Sequence, residues 1–323
     1  MGAHMLRHLI VNGEKVRALK RASSNTQYTQ RVFETYRDDP PNMFDQVEWV
    51  EGDVLDHEIL QEATAGVDAI YHVAALVNFD PSSRRAMLET NITGAANVVN
   101  AALENGVGKI AYVSSVAALD PPREDLPVDE IQFGNNPTRY SAYAESKFQG
   151  ELEIWRGVEE GLDAVVVNPS IILGPLVPVD GPGALFQSLR RGMSFYPSGI
   201  TGFVDVRDVC RSLTQLMGRE IYNERFILSE GNYSYRDIFQ TIARAFGVRV
   251  PSRKLPAFAT ALAWRLEWLL AGLSNRNPRI TREIHESAHR QVHFSNEKIK
   301  KAIDFQFTSI EQSIKDTVEH FDD

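Results

Sequence analysis

Short apolar runs alternate with longer stretches of helical spacing over the first two thirds of the chain. Apolar residues every three or four positions are typical of an amphipathic helix, whereas a short continuous apolar run is typical of a buried strand. This pattern predicts helices near 56–65, 85–105 and 143–160. It predicts strands at KVRAL (15–19), VEWVEGD (47–53), DAIYHVA (68–74), KIAYVSS (109–115), DAVVVNPS (163–170), GFVDVRD (202–208) and ERFIL (224–228).

Several of these strands are nearly continuous in apolar residues, as strands buried on both faces of a parallel sheet must be. With the strand–helix alternation, they predict an α/β fold: a Rossmann-type doubly wound parallel sheet with a smaller C-terminal substrate-binding lobe. We assign residues 1–170 to a dinucleotide-binding domain, with 202–228 returning to its sheet. Residues 171–201 and 229–323 form the predicted substrate lobe.

Composition narrows the possible partners and location. The net charge of -9 argues against a nucleic-acid partner, because the chain lacks the basic excess that neutralises phosphates. A single cysteine, Cys210, excludes an intramolecular disulfide and favours a cytoplasmic location. The most apolar stretch, residues 255–273, is interrupted by Arg265 and Glu267. We therefore expect an amphipathic core helix there and no integral membrane segment.

The sequence YAESK places Tyr143 and Lys147 one helical turn apart on one face. A neighbouring ammonium would favour the phenolate, which brings the pKa of Tyr143 closer to neutral pH. Upstream, the predicted strand IAYVSS ends in Ser114 and Ser115, and the carboxyl end of a parallel strand faces the ligand crevice. Taken alone, the tyrosine–lysine spacing is typical of a solvated helix face, and the two serines are typical of a turn. The serine pair followed by the tyrosine and lysine favours a catalytic site.

Ser115, Tyr143 and Lys147 resemble the Ser–Tyr–Lys triad of the short-chain dehydrogenase/reductase superfamily, specifically its extended branch of NAD-dependent epimerases and dehydratases. Further matches occur in the same order along the chain at EGDVLD (51–56), HVAALV (72–77), NITGAANVV (91–99), NPSIILGP (168–175) and GFVDVRDV (202–209). The resemblance implies that the cofactor contacts Asp53, Val54, Ala74, Ala75, Asn91, Ser114, Tyr143, Lys147, Pro169 and Ser170.

The resemblance also implies a reaction, hydride transfer between nicotinamide and a small organic carbonyl or alcohol. Tyr143 would exchange the proton of the substrate oxygen, Ser115 would hold that oxygen, and Lys147 would bind the nicotinamide ribose. A homodimer joined through the helices near 85–105 and 143–160 is implied as well.

Extended members begin with a strand and the turn G-x-x-G-x-x-G, which runs directly into a helix similar to GAHMLRHLI. Gly2 stands where the third glycine allows close helix–strand packing, whereas the first strand and first two glycines are not in this sequence. We therefore expect either a gap in the sheet or weak dinucleotide binding. The alternative interpretation is that GAHM is a cloning remnant fused to an unrelated start.

The strand predicted at 15–19 runs into ALKRASSN, which places Lys20 and Arg21 where NAD-preferring sheets have an acidic residue at the end of their second strand. Two cations there favour NADP(H), because they can pair with a 2′-phosphate. NAD(H) stays open, because Lys20 and Arg21 could equally form a solvated basic turn.

The C-terminal segments LPAFATALAW, NPRITREIH and HFSNEKIKKAIDFQF are similar to the dihydroflavonol reductase and 3β-hydroxysteroid dehydrogenase group. Leu119 and Asp120 replace the usual Tyr-Gly after the catalytic serine, which argues against close kinship with sugar-nucleotide epimerases. Two alternatives remain open: a nucleotide-sugar epimerase or dehydratase, and a non-catalytic binding protein with the same fold.

Three histidines, His285, His289 and His293, superficially suggest a metal site. A strand predicted at QVHFS would turn His293 away from the other two, and no cysteine or acidic residue at ligand spacing completes the set. We therefore predict no metal site.

Overall fold

The computed structural model describes residues 1–36, 40, 42–78, 81–120, 126–132, 141–177, 181–274 and 282–321. The helices are α1 (Gly2–Val11), α2 (Gln27–Thr35), α3 (His57–Thr64), α4 (Arg84–Leu88), α5 (Gly94–Glu104), α6 (Ala142–Glu159), α7 (Pro182–Arg190), α8 (Val206–Gly218), α9 (Tyr235–Ala245), α10 (Ala257–Ser274), α11 (Arg282–His289), α12 (Glu297–Ile303) and α13 (Ile310–Glu319). The strands are β1 (Arg17–Lys20), β2 (Glu48–Glu51), β3 (Ala69–His72), β4 (Lys109–Val113), β5 (Asp163–Pro169), β6 (Ile171–Leu173), β7 (Phe195–Tyr196), β8 (Ile200–Asp205), β9 (Glu224–Leu228), β10 (Gly231–Ser234) and β11 (Arg253–Lys254).

The predicted doubly wound architecture is confirmed. Strands β3, β4, β5 and β9 pair in that order, and every pair is parallel. Because side chains alternate between the faces of a strand, Ala111 and Val165 join a core with α1, α8 and α12, whereas Ile110 and Val166 join a core with α3, α5 and α6. Helices therefore cover both faces of this sheet.

The predicted gap in the sheet is also present. Among the described strands, β1 pairs only with β2 and β3 pairs only with β4, so the two parallel segments stay separate. Helix α1 contacts both: Met5 and Leu9 pack into the core of the four-stranded sheet, and Ile10 packs against Ala18 of β1. The expected weak binding of a dinucleotide stays a prediction.

Strand β8 corrects one prediction. The segment 202–208 was expected to return to the large sheet with 224–228, but only β9 does so, by pairing with β5. Strand β8 instead pairs with β6 and β10 in a separate three-stranded sheet. The pairing partner of β8 accounts for this: β6 begins two residues after β5 ends, lies outside the four-stranded sheet and pairs with β8 in parallel.

The part of the chain from β6 onward contributes a further core between α7, α9 and α13, which includes Phe186, Ile242 and Ile314. Helix α12 lies outside this core, because Ile299 and Ile303 pack onto the large sheet. The substrate lobe as a unit stays a prediction, and part of NPRITREIH lies outside the described residues.

Two further segments bear on the predicted partners. Across the described ranges, no helix combines the length and apolar character that crossing a membrane requires. His285 and His289 of α11 both hydrogen-bond to Thr260 Oγ1, at 2.7 and 2.9 Å. In the part of the chain that the structure describes, no group of three or more possible His, Cys, Asp or Glu ligands is placed to hold a metal ion.

Candidate active site

The three residues predicted to be catalytic come from two elements whose ends meet. Ser115 follows β4 and caps a short 3-10 turn, where its Oγ accepts a hydrogen bond from Ala117 N at 3.1 Å. Helix α6 begins after Ser141, whose Oγ accepts a hydrogen bond from Ala144 N at 3.1 Å. This cap puts Tyr143 in the first turn of α6 and Lys147 one turn later.

The structure brings these three side chains together. Tyr143 and Ser115 hydrogen-bond through their side chains. Lys147 is only 2 % exposed, and its Nζ donates a hydrogen bond to the carbonyl oxygen of Val113, at 2.8 Å, at the end of β4. A phenol, a hydroxyl and an amine therefore lie together at the carboxyl end of a central strand.

The electrostatics of this group correct the expectation for Tyr143. Burial raises the pKa of the Tyr143 phenol, and its hydrogen bond with Ser115 opposes that change only in part. Lys147 does not bring the pKa of Tyr143 down, because its ammonium is directed to Val113 O and lies 4.6 Å from the ring centre of Tyr112. Desolvation lowers the pKa of Lys147 itself to about 8, against the opposing effect of the Glu151 carboxylate.

Asn91 positions the loop that follows β3. It lies in a π-helical segment, Glu89–Thr93, that joins α4 to α5. Its Oδ1 accepts a hydrogen bond from Leu76 N at 2.7 Å, and its Nδ2 donates to Leu76 O and to Ser146 Oγ, both at 2.9 Å. The buried Asn91 side chain thus ties the loop containing the exposed Ala74 and Ala75 to α6.

The contact between Asn91 and α6 requires a glycine. A Cβ atom at Gly150 would lie 2.6 Å from Asn91 O and 2.8 Å from the Tyr112 hydroxyl oxygen. We expect Gly150→Ala to destabilise the fold by about 1–3 kcal/mol, because backbone cannot yield as a side chain can. Gly157→Ala on the same helix is the matched control, since a Cβ there would meet the methyl groups of Val99 and Leu162 at 2.8 and 2.9 Å. Urea unfolding measures both; equal losses would contradict the argument.

Three further predicted cofactor contacts lie around the triad but engage protein partners. Ser114 Oγ donates a hydrogen bond to Glu151 Oε2 at 2.6 Å. Pro169 ends β5 and is buried, and Ser170 Oγ donates to Leu228 O at 3.2 Å. The Ser114 hydroxyl thus points toward α6 and the Ser170 hydroxyl toward β9, and the backbone N–H groups of the two serines donate to Val167 O and Leu228 O.

A second group of predicted contacts lies at the ends of β1 and β2. Lys20 forms an ion pair with Glu51 at 3.2 Å, whereas Arg21 is exposed beyond the end of β1. Asp53 Oδ1 accepts a hydrogen bond from Leu55 N at 3.0 Å, and Val54 O accepts one from Asn97 Nδ2 at 3.1 Å. The turn after β2 is therefore held by the Asp53 side chain and by Asn97 of α5.

Gly2 is placed at the first position of α1, as expected, but not for the expected reason. A Cβ atom at Gly2 would meet no described atom within 4 Å. The close helix–strand packing that a glycine would allow is therefore not observed, because no described strand lies against this position.

Sequence reasoning missed the buried carboxylate of Glu151 and the Arg225 guanidinium paired with it at 2.5 Å. A signal was present: Glu151 follows Lys147 by four residues, which places both on the face of α6 that carries Tyr143. Arg225 gave no such signal, since its neighbour comes from a distant part of the chain.

Comparisons with known proteins indicate the family of this chain. Residues 1–223 match the family described as the NAD dependent epimerase/dehydratase family. A Synechocystis sp. protein carrying the name of a dihydroflavonol 4-reductase is 28% identical over 99% of this chain and 91% of its own length. Cinnamoyl-CoA reductase 1 of Arabidopsis thaliana is 29% identical over 82% of this chain and 72% of its own. The crystal structure of a protein called gox2253 superposes with a TM-score of 0.82 and 28% identity, covering 99% of this chain and 94% of that one.

These matches cover the segments that carry the triad, the loop after β3 and the strand ends. The chain therefore belongs to the NAD-dependent epimerase/dehydratase family, in the extended branch of the short-chain dehydrogenases/reductases.

Proposed function

We propose that this chain is an NADP(H)-dependent oxidoreductase that interconverts a small organic carbonyl and its alcohol. The hydrogen bond between Tyr143 and Ser115 carries the proposal, because it places a proton donor and an oxygen-binding hydroxyl side by side at the carboxyl end of β4. Two relatives that carry the names of reductases support the assignment as an oxidoreductase.

The residues present fit a nicotinamide dinucleotide along the strand ends. Arg21 and Asp53 would hold the adenosine part, and the exposed Ala74 and Ala75 leave room for the chain between the two nucleosides. Lys147 would hold the nicotinamide ribose. When bound, the nicotinamide supplies the hydride for reduction or accepts it in oxidation.

Tyr143 is the proposed acid in the direction of reduction. Because burial raises its pKa above the ordinary value of about 10, the phenol holds its proton at neutral pH. It can give that proton to the substrate oxygen as the carbonyl becomes an alcohol, while the Ser115 hydroxyl holds the same oxygen. In the reverse direction Tyr143 would have to accept the proton as phenolate, so oxidation is expected to gain with rising pH.

A turnover assay tests this function. The purified chain is mixed with NADPH and a panel of aromatic and aliphatic ketones and aldehydes, including cinnamoyl thioesters, and nicotinamide absorbance is followed. A substrate-dependent decrease supports an oxidoreductase. NADPH binding without any turnover would favour the non-catalytic alternative.

The runner-up function is a nucleotide-sugar epimerase or dehydratase, which the family description itself includes. Such an enzyme returns its cofactor unchanged, so sugar conversion with no net change in nicotinamide absorbance would select it. The buried Leu119 and the following Asp120 stand after the serine turn, where the resemblance leads us to expect Tyr-Gly in sugar-nucleotide enzymes. This difference disfavours the runner-up function.

Arg21 gives a direct prediction for cofactor choice. We expect Arg21→Ala to lower kcat/KM for NADPH by about 10- to 100-fold and to leave that for NADH nearly unchanged, because a charged hydrogen bond to a phosphate is lost. Lys20→Ala is the matched control, and its effect should be smaller because Lys20 is paired with Glu51. Equal losses with both cofactors would rule out recognition of the 2′-phosphate by Arg21.

We also propose a cytoplasmic homodimer joined through α4, α5 and α6. Leu152, on α6, is 42% exposed, and the proposed dimer would cover this apolar side chain. Light scattering over a range of concentrations tests the dimer, and Leu152→Glu should shift it to monomer.

A further inference from the structure

Behind the proposed triad lies a buried carboxylate that accepts hydrogen bonds on both oxygens. Glu151 is fully buried. Its Oε2 accepts from Ser114 Oγ at 2.6 Å and Asn168 Nδ2 at 3.0 Å, and its Oε1 accepts from Trp155 Nε1 at 3.2 Å and Arg225 Nη2 at 2.5 Å. A buried carboxylate with this many donors, one of them a guanidinium, is held in one orientation.

One donor links this carboxylate to the serine of the triad. Asn168 Nδ2 donates to Glu151 Oε2 and also to the carbonyl oxygen of Ser115, both at 3.0 Å. The orientation of the Asn168 amide, and with it the backbone at Ser115, thus depends on Glu151. Ser114, the preceding residue, is fixed by the same carboxylate.

The same carboxylate also acts on the lysine of the triad. The Lys147 ammonium is buried against neutral groups, with Val113 O as its hydrogen-bond acceptor and the Tyr112 ring 4.6 Å away. The titratable groups that interact with it are Glu151 on α6, Tyr112 on β4 and His72 on β3. Of these three groups, Glu151 is the one that opposes the effect of desolvation on the pKa of Lys147.

We propose that Glu151 is a positioning residue that sets the charge of Lys147 and the backbone of Ser115 at once, with Arg225 as its counter-ion. The inference rests on the proposed function in so far as Ser115 and Lys147 act on substrate and cofactor. A glutamine at this position has one acceptor oxygen, so it cannot satisfy both pairs of donors.

The first test reads the lysine directly and needs no activity. Lysine side chains are labelled with ¹³C and ¹⁵N, the Lys147 signal is assigned with Lys147→Arg, and its titration is followed by NMR. Unaltered protein should titrate near pH 8. In Glu151→Gln the midpoint should fall by about one pH unit or more, because desolvation is no longer opposed. An unchanged midpoint in a folded variant overturns the inference.

Glu153→Gln on the same helix removes an equal charge from a partly exposed pair with Arg156 and should leave the midpoint in place. If Glu151→Gln does not fold, Arg225→Gln decides, since it frees the carboxylate from its counter-ion. The Lys147 midpoint should then rise, and a midpoint that stays or falls counts against the inference.

The second test uses the cofactor-loaded enzyme. Glu151→Gln should lower kcat by a larger factor than it changes KM. It should also shift the decline of kcat at high pH, where Lys147 loses its proton, to lower pH by the same amount as the NMR midpoint. Identical pH profiles would show that Glu151 does not act on the reaction. If the unaltered chain reduces no carbonyl, the proposed function fails, while the NMR titration still decides the link between Glu151 and Lys147.

Discussion

A Tyr143→Phe variant is expected to reduce its carbonyl substrate about 100- to 10,000-fold more slowly than the unaltered chain, because loss of a positioned general acid typically has this effect. The substitution removes one hydroxyl and keeps the ring, so the packing at the start of α6 is retained. NADPH binding, measured by fluorescence titration, should change little. Steady-state rates from nicotinamide absorbance provide the measurement.

Tyr222→Phe is the matched control for this prediction. It also removes one phenolic hydroxyl, which donates to Met217 O at 3.2 Å after α8, and should leave the rate within about twofold. Full activity in Tyr143→Phe would eliminate Tyr143 as the acid, whatever the control shows.

Much of the fold could be predicted because its strands are local apolar runs. The strand at 109–113 is continuous in apolar residues after Lys109, and its burial on both faces follows directly from that pattern. The position of β8 could not be predicted in this way. GFVDVRD and ERFIL each contain three apolar residues, but which of them joins the large sheet depends on pairing with distant segments: β9 pairs with β5, whereas β8 pairs with β6 and β10.

In the candidate site, too, the features that are local in sequence could be predicted, whereas those that depend on the folded surroundings could not. Tyr143 and Lys147 are neighbours within one helix, so their spacing alone brings them together. The pKa of Tyr143 moves in the direction opposite to the expectation, because the lysine finds Val113 O and because burial outweighs charge. Spacing reports that two groups are close, but not how much water surrounds them.

Two buried histidines, one on α1 and one at the end of β3, are expected to make the fold sensitive to acid. His4, on α1, is 5% exposed and bonds through Nε2 to Pro175 O at 3.1 Å. His72, which ends β3 on the open edge, is equally buried and stacks on Tyr112 with ring centres 5.4 Å apart. Burial lowers the pKa of both imidazoles to about 3, and the Lys147 charge adds to this effect at His72.

Lowering the pH from 6.5 to 4.5 is therefore expected to destabilise the fold more steeply than carboxylate titration alone. The unfolded chain takes up a proton at each of these histidines below pH about 6.5, whereas the folded chain does not until about pH 3. The free energy of unfolding consequently falls by up to about 1.4 kcal/mol per pH unit for each histidine. Urea unfolding at several pH values measures the slope. His72→Gln should make the slope shallower by up to about 1.4 kcal/mol per pH unit, the contribution of one histidine. An unchanged slope in His72→Gln would show that His72 is already protonated in the folded state, and that the end of β3 admits water.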